Sequence, residues 1–155
     1  MGQSPTKTAK TTPVKNGTNA LIDEKLSHLN VHDKLFVALQ REMHIDIIRR
    51  LLNEGGKIDN PIGAKTGKTP LHVAQSIEAV KVMSAMRGID NIDKIIDSDG
   101  NTPLHDAAKS DDLDLVLLLV EHGALPDTMN HASRTPIDVA KTFMNDEIYL
   151  VLRQI

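Results

Sequence analysis

Residues 63–69 read Gly-Ala-Lys-Thr-Gly-Lys-Thr and are the first candidate for chemistry in this chain. This order of glycine, lysine and threonine is similar to a loop whose backbone N–H groups cradle a nucleotide phosphate. Such a loop needs another glycine at position 62, where the chain has Ile62. Pro70 also removes one of the N–H donors that would face the phosphate. Nucleotide binding is therefore an alternative that depends on an incomplete motif.

Residues 97–101, Asp-Ser-Asp-Gly-Asn, have the alternating oxygen ligands with which a calcium loop begins. Ile95 stands where such a loop needs an acid, and no glutamate follows at the twelfth place. A tight turn built on aspartate and glycine explains the segment better. The seven histidines show no zinc-ligand spacing, and the chain has no cysteine. We therefore expect no metal and no cofactor.

The first six residues, Met-Gly-Gln-Ser-Pro-Thr, match the signal for N-myristoylation, in which Gly2 carries the acyl chain. Lys7, Lys10 and Lys15 would supply the basic charge that a single acyl chain needs for stable attachment to anionic lipid. Gly2 is thus the candidate lipidation site. Membrane association through the N-terminus is the alternative to a chain that acts unmodified in the cytoplasm.

The composition excludes several classes of protein. Hydrophobic residues make up 40% of the chain and aromatic residues only 2%, which favours packed helices over a β-sandwich. The longest apolar run, residues 115–120, is far shorter than the ~18 residues of a membrane span, and the N-terminus lacks the apolar core of a secretory signal. Residues 1–20 carry three lysines and no acid, so the remainder has 15 basic and 21 acidic residues. Such an acidic body is not typical of nucleic-acid binding.

One phrase recurs with a period of 33 residues. Gly-Lys-Thr-Pro-Leu-His-Val-Ala at 67–74 returns as Gly-Asn-Thr-Pro-Leu-His-Asp-Ala at 100–107, and in changed form as Ser-Arg-Thr-Pro-Ile-Asp-Val-Ala at 133–140. Threonine followed by proline is typical of a helix start, because the hydroxyl caps a free N–H and proline has none to leave unpaired. This period and wording resemble the ankyrin repeat.

The resemblance implies an all-α repeat protein, a solenoid of about four helix-turn-helix repeats joined by hairpin-like turns, here called fingers. We expect a disordered basic tail at 1–20, a short capping helix within 21–31 and a repeat domain at 32–155. Its repeats would lie at about 32–66, 67–99, 100–132 and 133–155. The first finger is expected to be about two residues longer than usual, and the last repeat to turn a polar face outward. His72 and His105 share one repeat position and are expected to be structural.

By the same resemblance, the protein is expected to have no catalytic residue and not to be an enzyme. It would be a small adaptor or inhibitor, a cytoplasmic monomer that binds another protein rather than nucleic acid. The partner would lie across the finger tips and the inner faces of the first helices. The predicted contact positions in the fingers are Lys65, Thr66 and Lys68, then Ser98, Asp99 and Asn101, then His131, Ala132 and Arg134. Those on the first helices are Ser76 and Ile77, Lys109 and Ser110, and Thr142 and Phe143.

Overall fold

The computed structural model describes residues 24–62, 65–89 and 91–155. Eight α-helices form within these ranges, and no residue in them is part of a β-strand. The helices are α1 (Val31–Gln40), α2 (Ile45–Asn53), α3 (Pro70–Val73), α4 (Ile77–Arg87), α5 (Pro103–Lys109), α6 (Leu113–Glu121), α7 (Pro136–Thr142) and α8 (Asp146–Leu152). A single 3-10 turn, Ile92–Lys94, lies between α4 and α5.

The recurring threonine starts three of the helices, as the sequence predicts. Thr69, Thr102 and Thr135 are the N-caps of α3, α5 and α7, and a proline follows each of them as the first helical residue. The threonine side chain meets the backbone of the third helical residue, and that residue's side chain meets the threonine backbone in return. This reciprocal cap satisfies N–H groups that have no partner within the helix.

The helices form two layers. The odd-numbered helices pack in one row and the even-numbered helices in a second row. In most repeats the two helices also pack against each other. The exception is the second repeat, where α3 and α4 make their main contacts with neighbouring repeats. The interior between the rows is aliphatic: Leu35, Leu52, Leu104, Leu119 and Ile148 are each 2% exposed or less. No single pair could bury this much apolar surface alone, so the repeats stabilise one another.

The second repeat departs from the predicted arrangement. Seven positions separate its two caps, Thr69 and Ser76, whereas ten separate Thr102 from Asp112 in the third repeat. α3 is consequently a single turn of 4 residues, and α4 is lengthened to 11 residues against 9 in α6. The placement of Ser76 and Ile77 on the first helix was therefore wrong, because Ser76 caps the second helix and Ile77 is its first residue.

Each finger is closed at its base by a backbone hydrogen bond. In the later two fingers this bond joins Asp97 N to Asn101 O and Asn130 N to Arg134 O, both at 3.0 Å. In the first finger Ile62 N donates to Lys68 O at 2.9 Å, which encloses two more residues. The first finger is thus longer by the two residues that the sequence predicts.

The two ends of the array differ from the expectations in detail. Of the predicted N-terminal cap, residues 24 and 25 are helical and 26–28 form a turn, while 21–23 and the predicted tail lie outside the described residues. The last repeat does not turn a wholly polar face outward: Leu150 is 55% exposed and Met144 82%. Ile148 and Leu152 fill the core side of α8, Tyr149 packs against the core in part, and Leu150 faces away from it.

Candidate functional site

The fingers are joined edge to edge into a continuous row. Ser98 N donates to Thr66 O at 2.9 Å, and one repeat later His131 N donates to Asp99 O at the same distance. These bonds hold the backbone of each tip against its neighbour. The side chains at the tips are therefore presented from a backbone that is already ordered.

One backbone position in each finger explains why the recurring phrase begins with glycine. Gly67, Gly100 and Ser133 all have positive φ angles, of +60°, +76° and +55°. A Cβ at Gly100 would lie 2.6 Å from His131 Cδ2 and 2.9 Å from His131 N, because the next finger packs directly against it. Ser133 is exposed, and no further finger of the described chain covers it, so a side chain is tolerated there.

The two recurring histidines tie each repeat to the next. His72 Nε2 lies 2.8 Å from Asn101 O, and His105 Nε2 lies 3.0 Å from Arg134 O. At the other side of each ring, Nδ1 accepts from the backbone N–H of the threonine cap, at 3.3 Å for Thr69 and 3.1 Å for Thr102. This pattern requires a neutral imidazole with its proton on Nε2. The geometry agrees with the structural role predicted for both residues.

Burial disfavours the charged form of these rings. It lowers the pKa of both His72 and His105, although the bond to the carbonyl of the next repeat and the nearby Asp106 act in the opposite direction. In the last repeat an aspartate stands at the equivalent position. Asp138 Oδ2 accepts from Thr135 N at 3.0 Å and from Thr135 Oγ1 at 2.9 Å, and these two hydrogen bonds lower the pKa of the Asp138 carboxyl group. Asp138 therefore helps to cap α7, but in the described part of the chain it does not reach a following repeat as the two histidines do.

A buried polar chain runs beneath the finger tips. Asp97 Oδ1 accepts from the backbone of Asp99 at 2.9 Å and of Asn101 at 2.8 Å, which is the tight turn predicted for this segment. Asn130 makes the same two contacts in the next finger, at 3.0 Å each. Its Nδ2 also donates to Asn101 Oδ1 at 2.7 Å. Asn101 therefore has its side chain engaged inside the array, although the sequence places it among the contact positions.

Most of the other predicted contact positions are open to solvent. Lys68, Ile77 and Asn101 are half-buried, and the rest are exposed. The exposed positions are Lys65, Thr66, Ser76, Ser98, Asp99, Lys109, Ser110, His131, Ala132, Arg134, Thr142 and Phe143. Those of the third and fourth repeats lie where predicted, with Lys109 and Thr142 at the ends of α5 and α7. Ser110 and Phe143 follow them as the C-caps of these helices.

Two contacts cross between repeats on this side of the molecule. Lys68 Nζ lies 2.7 Å from Asp106 Oδ2, which joins the first finger to α5. Lys109 Nζ lies 5.0 Å from the centre of the Phe143 ring, a cation–π distance. Phe143 is 45% exposed, so part of a large aromatic side chain stays available to a partner. Sequence reasoning did not single out Asp106. A signal was present, because Asp106 follows His105 at the repeat position where Val73 follows His72.

The segments first considered for phosphate or metal chemistry have structural roles where they are described. Residues 63 and 64 lie outside the described ranges, and Thr69 at the end of the segment caps a helix of only 4 residues. Across residues 24–62, 65–89 and 91–155, no three His, Asp or Glu side chains are grouped to hold a metal ion. Over the same ranges, no helix is long and apolar enough to span a membrane. Gly2 lies outside them.

Comparisons with known proteins identify the family. A family model described as ankyrin repeats (3 copies) matches residues 35–130, and the chain belongs to this family. The chain is 29% identical over 113 residues to SMC5-SMC6 complex localization factor protein 1 of Bos taurus, covering 70% of this chain and 11% of the relative. It is 30% identical over 84 residues to transient receptor potential cation channel subfamily A member 1 of Homo sapiens, and this match covers 53% of this chain and 8% of the relative.

The chain spans about a tenth of the length of these curated relatives. What it shares with them is the repeat array. Ankyrin repeats generally mediate protein–protein interaction, and the family is typically non-catalytic.

Proposed function

We propose that this protein is a non-catalytic binding module that acts as a small adaptor or inhibitor. Its partner lies across the finger tips and the C-terminal ends of α5 and α7. The observation that carries this proposal is the row of exposed tip side chains on a backbone fixed by Ser98–Thr66 and His131–Asp99 hydrogen bonds. A surface that is ordered before binding loses little entropy when a partner arrives.

The surface has mixed charge and one aromatic anchor. Lys65 and Arg134 are exposed and basic, and Asp99 between them is exposed and acidic. A partner with a matching alternation of charges is favoured, because such complementarity sets specificity and association rate. Phe143 is the expected hot spot, since aromatic residues are enriched among positions that dominate binding energy. The name of the bovine relative, a localization factor for a protein complex, is consistent with an adaptor that positions a client.

The test begins with capture of a partner on the immobilised full chain and its identification by mass spectrometry. Affinity is then measured for Lys68→Glu, Asp99→Lys, Arg134→Glu and Phe143→Ala, with the unfolding free energy of each variant measured in parallel. Glu121→Lys on α6 is the matched control, because Glu121 is exposed on the other row of helices.

We expect the tip variants and Phe143→Ala to weaken binding while the control does not. Phe143→Ala should lose affinity without a matching loss of stability. If Glu121→Lys abolishes binding and the tip variants retain it, the proposed binding face is wrong.

A second candidate function is recruitment of that partner to a membrane through an acylated Gly2. The sequence pattern of Gly2, Thr6 and the following Lys7 supports it. Protein made in a host that supplies N-myristoyltransferase should gain the mass of a myristoyl group and bind vesicles that contain phosphatidylserine. Gly2→Ala should lose both properties, because acylation requires the glycine amine. Vesicle binding by Gly2→Ala would contradict the lipid anchor.

A further inference from the structure

A groove lies between the first and second repeats, beside the shortened first helix of the second repeat. α3 has 4 residues where α5 has 7. Ala74 and Gln75 separate α3 from the Ser76 cap, as Ser110 and Asp111 separate α5 from the Asp112 cap, and Gln75 is exposed. The groove has a volume of about 280 Å³ and is lined by residues of α1, α2 and α4 and of the loops beside them.

The interior of this groove is apolar. Leu39, Ile48 and Ala79, from three different helices, form its floor and are each 3% exposed or less. Met43 and Ile45 are half-buried and form one wall. The groove can therefore take an aliphatic side chain of leucine or methionine size, and its filling would remove apolar surface from water.

The rim of the groove is acidic. Glu42 and Glu78 stand at the opening, both exposed, and no lysine or arginine is among the lining residues. Neither carboxylate forms an ion pair in the described part of the chain. His44, also at the rim, already faces a carboxylate, with Nδ1 3.2 Å from Asp46 Oδ2. A basic group placed over this opening would meet two free carboxylates.

Gln75 also borders a second groove, of about 320 Å³, between α3 and α5. Its floor contains Leu115 and Leu119, which are 4% and 2% exposed. The two grooves therefore adjoin at Gln75. An extended segment that crosses Gln75 would have room for a second side chain on the far side.

We propose that the groove between the first two repeats binds a partner segment that carries an aliphatic side chain flanked by lysine or arginine. The aliphatic side chain fills the space above Leu39, Ile48 and Ala79, and the basic residue pairs with Glu42 and Glu78. The proposal rests on the proposed function of protein binding and adds to it a second contact site and the chemistry of the partner.

The test uses two synthetic peptides that differ only in charge. Both have a central leucine within a glycine-rich sequence; one has lysine on each side of the leucine and the other has glutamate. Each is titrated into the ¹⁵N-labelled full chain and followed by NMR. The lysine peptide should shift the amide signals of Ile48, Gln75 and Ala79, and the glutamate peptide should leave them in place.

Charge reversal then tests the rim. The double variant Glu42→Lys/Glu78→Lys should bind the lysine peptide about tenfold more weakly and should gain binding of the glutamate peptide. The control, Glu121→Lys/Glu147→Lys, changes the same charge at two exposed positions outside the groove and should bind as the unmodified chain does. Equal binding of the lysine peptide to both double variants would overturn the proposal.

A third variant fills the groove without changing its rim. Residues 74–76 are replaced by the longer sequence of 107–112, Ala-Ala-Lys-Ser-Asp-Asp, which restores the three missing residues. This variant should keep its helical circular dichroism and lose the lysine-peptide shifts. Retained binding, or no lysine-peptide shifts in the unmodified chain, would overturn the groove proposal. The proposed function would still stand if the captured partner is lost in Lys68→Glu and Arg134→Glu, so the two failures are distinguishable.

Discussion

His72 and His105 show how one residue can serve two neighbouring repeats. Each ring accepts from its own helix cap on Nδ1 and faces a carbonyl of the next repeat with Nε2. Protonation would place a second N–H on Nδ1, directed at the N–H group that it now accepts. Both contacts are therefore retained only while the ring is neutral.

Stability should consequently fall on mild acidification. Because the pKa of both histidines is lowered in the folded state, the unfolded chain binds more protons as the pH drops below its ordinary histidine pKa of 6.5. The stabilisation is complete above pH 6.5 and is lost progressively below it. Urea unfolding at pH 7.5, 6.5 and 5.5 measures the change in unfolding free energy.

The double variant His72→Gln/His105→Gln provides the comparison, since glutamine does not titrate. Its unfolding free energy at pH 7.5 should be lower than that of the unmodified chain, and its decline towards pH 5.5 shallower. An equal decline in both proteins would show that other groups cause the pH dependence.

Gly100 should be the least replaceable glycine among the fingers. Gly100→Ala adds strain at a φ of +76° and a contact of 2.6 Å with the His131 ring, and it is expected to cost on the order of 1–3 kcal/mol. Ser133→Ala, at the equivalent exposed position of the last repeat, should change stability by less than about 0.5 kcal/mol. Chemical denaturation of both variants measures the difference. Similar values for the two would mean that the fingers are not packed as described.

At the scale of the elements, both rows of helices contribute side chains to one common core. Leu104 on α5 is 0% exposed and lies in the common core. Leu104→Ala should therefore lower the unfolding free energy by about 2–5 kcal/mol. Far-UV circular dichroism of the folded variant should remain helical. A loss within about 0.5 kcal/mol, the usual range of a surface site, would contradict the placement of this residue.

Much of the element order follows directly from the sequence. Thr69, Thr102 and Thr135, each followed by proline, predict three helix starts, and the structure has a helix at each of them. The bounds inside the second repeat do not follow from the period. Its first helix is three residues shorter than α5. The interval of 33 is unchanged because α4 is two residues longer than α6 and the segment from α4 to Thr102 is one residue longer than that from α6 to Thr135. Ser76 with Glu78 close behind it was the local signal of the earlier helix start.

The candidate contact surface is only partly visible in the sequence. Exposure of the tips follows from the period, because Lys65, Asp99 and Arg134 occupy turn positions. The engagement of Asn101 with Asp97 and Asn130 does not follow, since it depends on how two fingers approach each other in space. The groove beside Gln75 depends in the same way on the stacking of two repeats whose first helices differ in length.

At the scale of the whole molecule, the two rows of helices give the array two different sides. One side carries the finger tips and the α5 and α7 ends, and the other carries α2, α4, α6 and α8. Stacking fixes both sides at once, because each repeat bonds to the next through His72, His105 and the finger backbone. A partner can thus contact three or four repeats simultaneously without ordering them first.

The most direct test of this account is amide hydrogen exchange of the full chain, free and in complex with the captured partner. Binding across the finger side predicts increased protection at 65–68, 98–101 and 131–134 and at the ends of α5 and α7. Exchange in α6 should be unchanged. Protection confined to α4 and α6, with none at the finger tips, would contradict the proposed binding face.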